Sequence, residues 1–286
     1  MNSSLRKNCA AELAEQLPGA DRVATIPGAM KVTILGCGTS TGVPVVGCPC
    51  NVCRSKDPRD FRSRASILLE WKGKNLLVDT APDLHVQALN VKLRRVDAVF
   101  YTHGHADHIF GLDELRVFNF LQGGVIPIYG AKATIEQIRR IFDYIWDPES
   151  PLGGGKPMLE TRTLEGRLEL FGLGIQPVDV WHGQRLITGY VFDQVGYLTD
   201  CSGLPEASRD LLRDKDLLIV GALRHRPHPT HFHLQAALDL IAELKPRRAL
   251  LTHLSHSFEY EKTNAELPAG VALAYDGQVI ECEERI

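Results

Sequence analysis

The chain has 286 residues, 44% of them hydrophobic, and a formal net charge of −3 with its eleven histidines neutral. That is enough apolar material for a sizeable core and too little positive charge to hold nucleic acid by phosphate neutralisation alone. No apolar run approaches the ~20 residues of a membrane span and the start shows no charged-then-apolar export signal, so a cytoplasmic protein with no membrane partner is expected.

Residues 1–29 carry little apolar periodicity beyond 10–17, which reads as one loose helix closed by Pro18-Gly19; they form an N-terminal extension, and the domain proper is 30–286. Residues 31–35 predict a strand running into the glycine-rich turn 36–44. Small residues there allow close backbone approach, and the hydroxyls of Ser40 and Thr41 are candidates to receive phosphate oxygens; substrate contact and a plain tight turn are even readings. Cys48, Cys50 and Cys53 follow, three of seven cysteines within six positions. An odd, clustered set argues against a secreted disulfide framework and for metal or redox use in a reducing compartment. Residues 66–70 and 75–78 read as a hairpin, with Asp79 at the end of its second strand.

Residues 96–102 predict an apolar strand that delivers His103-Gly104-His105-Ala106-Asp107-His108. Two residues apart on extended backbone, His103 and His105 point to one side and can share an ion. Asp107 and His108 then enter a helix and reach toward a second ion; imidazole suits zinc, and a carboxylate keeps the neighbouring site suitable for zinc, manganese or iron. Thr134 and Gln137 form a capping-box pattern, followed by Ile135, Ile138, Ile141 and Ile145 at helical spacing, a core face. The Pro/Gly-rich stretch 146–160 reads as a loop, either over a site or as a surface connection.

In the second half, 174–180, 187–192, 195–199, 217–220 and 249–252 are predicted strands, and 205–213 and 233–244 helices. Asp276-Gly277 signals a hairpin turn between 271–275 and 278–281. One apolar face per helix predicts an α/β sandwich with helices outside two sheets. His182, Asp200 and His253 each stand where a strand meets a loop, and so are candidates to complete the two metal sites. The segment 224–234 adds four histidines and two arginines ahead of a helix, able to supply a proton and attract phosphate.

These residues resemble those of the metallo-β-lactamase-fold hydrolases over 30–286, and more narrowly the branch containing the phosphoribosyl 1,2-cyclic phosphate phosphodiesterases of bacterial phosphonate breakdown. The His-x-His-x-Asp-His motif is His103 to His108, and later motifs match His182 in Trp-His-Gly, Asp200 in Leu-Thr-Asp and His253 in Leu-Thr-His-Leu-Ser-His. The resemblance implies an αββα four-layer sandwich. It implies that His103, His105 and His182 bind one divalent ion (zinc or manganese) and Asp107, His108 and His253 the other, with Asp200 bridging and Asp79 orienting a ligand. It adds His256 to Cys48, Cys50 and Cys53 as the fourth ligand of a structural zinc.

The activity implied is hydrolysis of a small cyclic phosphate, either a phosphoribosyl 1,2-cyclic phosphate or a 2′,3′-cyclic nucleotide, by a hydroxide held between two ions. Asp107 and His231 are the catalytic candidates, His231 as general acid. His225, His228 and His233 cap the helix or line the pocket, with His228 taken as a substrate contact. His233 departs from the family pattern, which has an acidic residue there. The partners implied are a small phosphodiester and a second copy in a homodimer. Two rivals are a tRNA 3′-processing endonuclease, whose glycine-rich loop is similar, and a non-catalytic metal protein of cofactor biosynthesis.

Overall fold

The computed structural model describes residues 29–149 and 155–283. In chain order the elements are β1 (Met30–Gly36), β2 (Ser66–Trp71), β3 (Lys74–Val78), α1 (Leu84–Asn90), β4 (Ala98–Phe100), α2 (Ala106–Ile109), α3 (Leu115–Gln122), β5 (Ile126–Gly130), α4 (Lys132–Ile141) and β6 (Leu159–Thr163). The second half holds β7 (Leu168–Leu170), β8 (Leu173–His182), β9 (Arg185–Phe192), β10 (Val195–Leu198), α5 (Glu206–Leu212), β11 (Leu217–Gly221), α6 (Leu234–Leu244), β12 (Arg248–Thr252), α7 (Tyr260–Glu266), β13 (Val271–Leu273) and β14 (Val279–Cys282). The expected extension and its short helix lie outside the described residues, as do 150–154 of the proline-rich stretch. No helix among the described residues is long and apolar enough to cross a membrane.

The strands form two seven-stranded sheets, ordered β14-β1-β2-β3-β4-β5-β6 and β13-β12-β11-β10-β9-β8-β7. In each, pairing is antiparallel on one side and changes to parallel, at β3–β4 in the first sheet and β10–β11 in the second. Crevices at the carboxyl ends of strands near such a change collect functional side chains. Side chains alternate across each strand, so Ile67, Leu69 and Phe100 enter a core shared with Ile175, Tyr190 and Phe192 of the other sheet, while Leu68, Leu77 and Val99 face the helix layer with Leu112, Leu115 and Ile135. Phe100 stacks on Tyr129 with centroids 4.9 Å apart and meets Tyr190 and Phe192 edge-on at 5.6 Å. This four-layer packing of helices and sheets is the sandwich that the sequence predicts.

Three local expectations are corrected. Asp276-Gly277 does not close a hairpin, because β13 pairs with β12 in one sheet and β14 with β1 in the other. The turn is pinned elsewhere: Asp276 Oδ1 accepts from the Cys37 N–H at 3.0 Å, and Oδ2 accepts from the Ser63 N–H and hydroxyl at 2.7 and 2.6 Å. The Thr134/Gln137 capping box is not formed, since the helix starts at Lys132 and Thr134 is buried inside it. Its apolar positions must meet the sheet, and that sets where the helix begins. Ile141 is exposed at the end of this helix rather than in the core.

Burial pushes the Asp276 carboxyl up to about 6, against the hydrogen bonds from Ser63 and Cys37. The unfolded carboxyl, near its ordinary value of about 3.9, loses its proton first. Between those values the folded state therefore holds more protons, and stability falls as pH rises. Relative to Asp276→Asn, the wild type is expected to lose roughly 2–3 kcal/mol between pH 4 and pH 7 in urea titrations. A pH-independent difference would refute this.

Candidate metal centre

Most of the proposed ligands sit at the carboxyl end of a strand. Asp79 follows β3, the 103–108 motif follows β4, His182 ends β8, Asp200 lies just past β10 and His253 just past β12. Asp79, Asp200 and His253 have φ of 63°, 51° and 56°, the left-handed region that non-glycine residues enter at a cost and that clusters at functional sites. Thr188 N–H of β9 donates to Thr102 O at 3.0 Å and the Tyr190 hydroxyl to Tyr101 O at 2.7 Å, so the second sheet holds the segment leading to the motif.

Hydrogen bonds fix which ring nitrogen faces inward. The Thr102 hydroxyl donates to Asp79 Oδ2 at 2.8 Å, so its contact with His103 Nδ1 at 3.0 Å must be donated by the imidazole, leaving the His103 Nε2 lone pair free. His108 Nδ1 donates to Asp79 Oδ2 at 2.7 Å. His182 Nδ1 donates to the carbonyls of Asp200 and Thr230 at 2.9 and 3.0 Å. In each ring Nδ1 is thereby committed, and Nε2 is the nitrogen left to face an ion. The donor atoms of His103, His105 and His182 lie within 4.8 Å of one another, as do those of Asp107, His108, Asp200 and His253.

This donor set fits divalent ions. His108 Nε2 and His253 Nε2 are buried and make no hydrogen bond. Yet Asp200 Oδ2 is 3.0 Å from the first and Asp200 Oδ1 3.3 Å from the second, with Asp107 Oδ2 at 3.3 and 3.7 Å. Such crowding without alignment is the arrangement that a shared cation would satisfy. Burial opposes charge on His108, but Asp200 and Asp79 outweigh it and push its pKa well up. Burial likewise works against ionised Asp200, and His253 and His108 overcome it, holding the carboxyl well below its usual range. Burial pushes the pKa values of His103 and His105 down, toward the neutral form that coordinates metal.

The cysteine cluster closes independently. Cys48, Cys50 and Cys53 Sγ lie 3.3, 3.6 and 3.4 Å from His256 Nδ1. Zn–S and Zn–N bonds of about 2.3 and 2.0 Å at the tetrahedral angle separate S from N by about 3.5 Å, so the four atoms have the spacing of a zinc site. His253 and His256 share one short segment, which a fully buried residue absent from the sequence reading secures. Arg62 Nη1 donates to Ser255 O at 3.1 Å, and its Nη2 to Phe258 O at 2.8 Å and to Asp60 at 3.1 Å.

His231 belongs to the same centre. Its ring stacks on His253 at 5.0 Å, meets His182 edge-on at 4.8 Å, and places Nδ1 3.6 Å from Asp200 Oδ1. Burial first, then the neighbouring His253, pull its pKa down to about 3, with Asp200 acting the other way. His228 lies 5.1 Å from His231 and accepts the Thr230 N–H at 3.3 Å. His225 packs on Phe258 at 4.6 Å, and His233 occupies the N-cap position of α6 without a side-chain capping hydrogen bond. Ser40 and Thr41 are exposed; the Thr41 hydroxyl donates to Gly42 O and Ser40 O accepts from Arg64. Their loop abuts the His253 segment through Thr39 N–H to Leu254 O and Leu254 N–H to Cys37 O.

Two sheets with histidines and carboxylates gathered at one end define a metal-dependent hydrolase of the metallo-β-lactamase fold. A family model for the beta-lactamase superfamily domain matches residues 74–254, and the chain belongs to that superfamily. A crystal structure of a diphosphatase from the PhnP family superposes with a TM-score of 0.83 at 41% identity, over 89% of this chain and 97% of that one. An octanoyltransferase of Porphyromonas gingivalis is 34% identical over 253 residues, 87% of this chain; the chain spans about half of that protein, 51%. Ribonuclease Z of Bacillus cereus is 25% identical over 283 residues, 78% of this chain and 88% of that protein.

Proposed function

We propose that the protein hydrolyses a phosphodiester bond in a small cyclic phosphate, such as a phosphoribosyl 1,2-cyclic phosphate or a 2′,3′-cyclic nucleotide. His103, His105 and His182 would hold one divalent ion, zinc or manganese, and Asp107, His108 and His253 the other, with Asp200 shared. Cys48, Cys50, Cys53 and His256 would hold a structural zinc. The observation that carries the reading is the position of His231, packed on ligand candidates of both groups, where a proton donor can reach a leaving oxygen. The 41% identity to a PhnP-family diphosphatase supports a bond between phosphorus and oxygen as the target.

Bound ions would supply a nucleophile near neutral pH and positive charge for the phosphoryl oxygens. The protein's own residues do the rest. Burial favours the neutral form of His231, and the negative charge of an arriving phosphodiester would shift it toward the protonated form that a donor to the departing alkoxide needs. Asp107 Oδ2 lies 3.3 Å from His108 Nε2 and 3.7 Å from His253 Nε2, where its carboxylate would share an ion with both. Ser40, Thr41 and His228 are the proposed substrate contacts.

The likeness to ribonuclease Z favours a second reading, cleavage of a tRNA precursor. A net charge of −3 weighs against holding a folded RNA. The third, a metal protein without catalysis, has in its disfavour that every ligand position is filled by a competent side chain. Protein reconstituted with zinc or manganese is expected to bind about three ions per chain and to open 2′,3′-cyclic AMP to a monoester. A salt series of filter-binding assays should show no specific retention of tRNA. Cleavage of precursor tRNA with no turnover of cyclic phosphates would transfer the assignment to the nuclease, and ions bound without turnover of any phosphodiester would favour the third reading.

A further inference from the structure

We propose that Gln137 is a positioning residue for the His103–His105 ligand pair, acting through the peptide between them; this inference rests on the metal-centre reading above. Gln137 lies on α4, next to the buried Ile138 and three residues past the buried Thr134, and is itself half-buried. Its Nε2 donates to Gly104 O at 2.8 Å. The contact is close on the other side too. A Cβ added at Gly104 would fall 2.3 Å from Gln137 Oε1 and 2.4 Å from its Cδ, so the amide lies directly over the Gly104 α-carbon and only glycine admits it.

The consequence follows from where that peptide sits. His103 is fixed by Thr102, and the residues after His105 by helix α2, but the bend between the two imidazoles contains no side chain of its own. His103 Nε2 and His105 Nδ1 stand 3.0 Å apart, a separation that depends on the orientation of the Gly104 peptide. Gln137 sets that orientation from outside the motif. The glycine and the glutamine thus form one device, in which the absent side chain of the first makes room for the amide of the second. Among the described residues no hydrogen bond joins Gln137 to Asp107, His108, Asp200 or His253, and the one it makes is to the peptide between His103 and His105, so its influence is expected on one of the two ligand groups.

The test is calorimetric titration of the apo-protein with zinc and with manganese, comparing wild type, Gln137→Ala and Gln137→Met, with the apo thermal midpoint measured beside it. In both variants one of the two catalytic-centre affinities is expected to fall about 10–100-fold, as for loss of a hydrogen-bonding partner of a ligand, with the other unchanged. Gln137→Met keeps the length and loses the donor, so a methionine variant with wild-type affinities would overturn the proposal in favour of simple packing. Equal weakening of both affinities, or a lowered apo midpoint with affinities intact, would also overturn it. If the wild-type apo-protein bound no ions at this centre, the metal-centre reading would fall instead, and the two failures are thereby distinguished.

Discussion

His231→Ala is expected to slow the opening of a cyclic phosphate by about 10²–10⁴-fold, the usual worth of a positioned acid, while the ion content measured by elemental analysis stays at the wild-type value. The ring is packed on His253 and His182, and His182 is held independently of it, through its Nδ1, by the carbonyls of Asp200 and Thr230. Alanine removes a proton donor and leaves that backbone in place. The size of the effect should depend on the leaving group. An alkoxide needs a proton as it departs, and p-nitrophenolate does not, so bis-p-nitrophenyl phosphate should be turned over by the variant with a far smaller loss. Equal losses on both substrates would show that the residue serves binding rather than proton transfer. Loss of ions would make it a ligand, a role that its grouping with His182 and Asp200 also permits.

Asp200→Asn is expected to empty the centre and to cost more than the roughly 10–100-fold that losing an outer partner of a ligand costs. Its two oxygens are divided, Oδ2 toward His108 and Oδ1 toward His253 and His231, and its carboxylate also groups with His182 of the other ligand set. Asparagine keeps the shape and tolerates the left-handed backbone at this position, where φ is 51°, so the loss can be assigned to charge. Asparagine keeps the packing, so the apo-protein should fold, though with lower stability because His108 loses a buried charge partner. Ion content and turnover would be measured on the same preparation. Two ions retained at wild-type affinity would show that Asp200 does not bridge.

Much of this centre was legible in the sequence because its candidate ligands are side chains at strand ends, and strand ends can be read from apolar runs. The motif His103 to His108, then His182, Asp200 and His253, follows that rule, and the structure brings all of them together. What the sequence concealed is the scaffolding that acts through backbone atoms or against residue preference. The Thr230 carbonyl that orients His182 has no side-chain signature. Arg62 is of a type that is almost never fully buried, yet it is buried here with Asp60 and two carbonyls accepting from its two terminal nitrogens. The 276–277 turn has hairpin residues, and only the three donors from Cys37 and Ser63 reveal that it carries the chain from one sheet to the other. Gln137 resembled half of a capping box because local pattern alone cannot register a partner 33 residues earlier.

Each of the three candidate ligand groups draws from both sheets: His103 and His105 join His182, Asp107 and His108 join Asp200 and His253, and the cysteines after β1 join His256 after β12. Neither half of the chain owns a complete cage. A partly assembled polypeptide therefore cannot retain a cation tightly, and hydrolytic power is withheld until the two layers have closed on each other. Reactivity in this molecule is a certificate of finished folding.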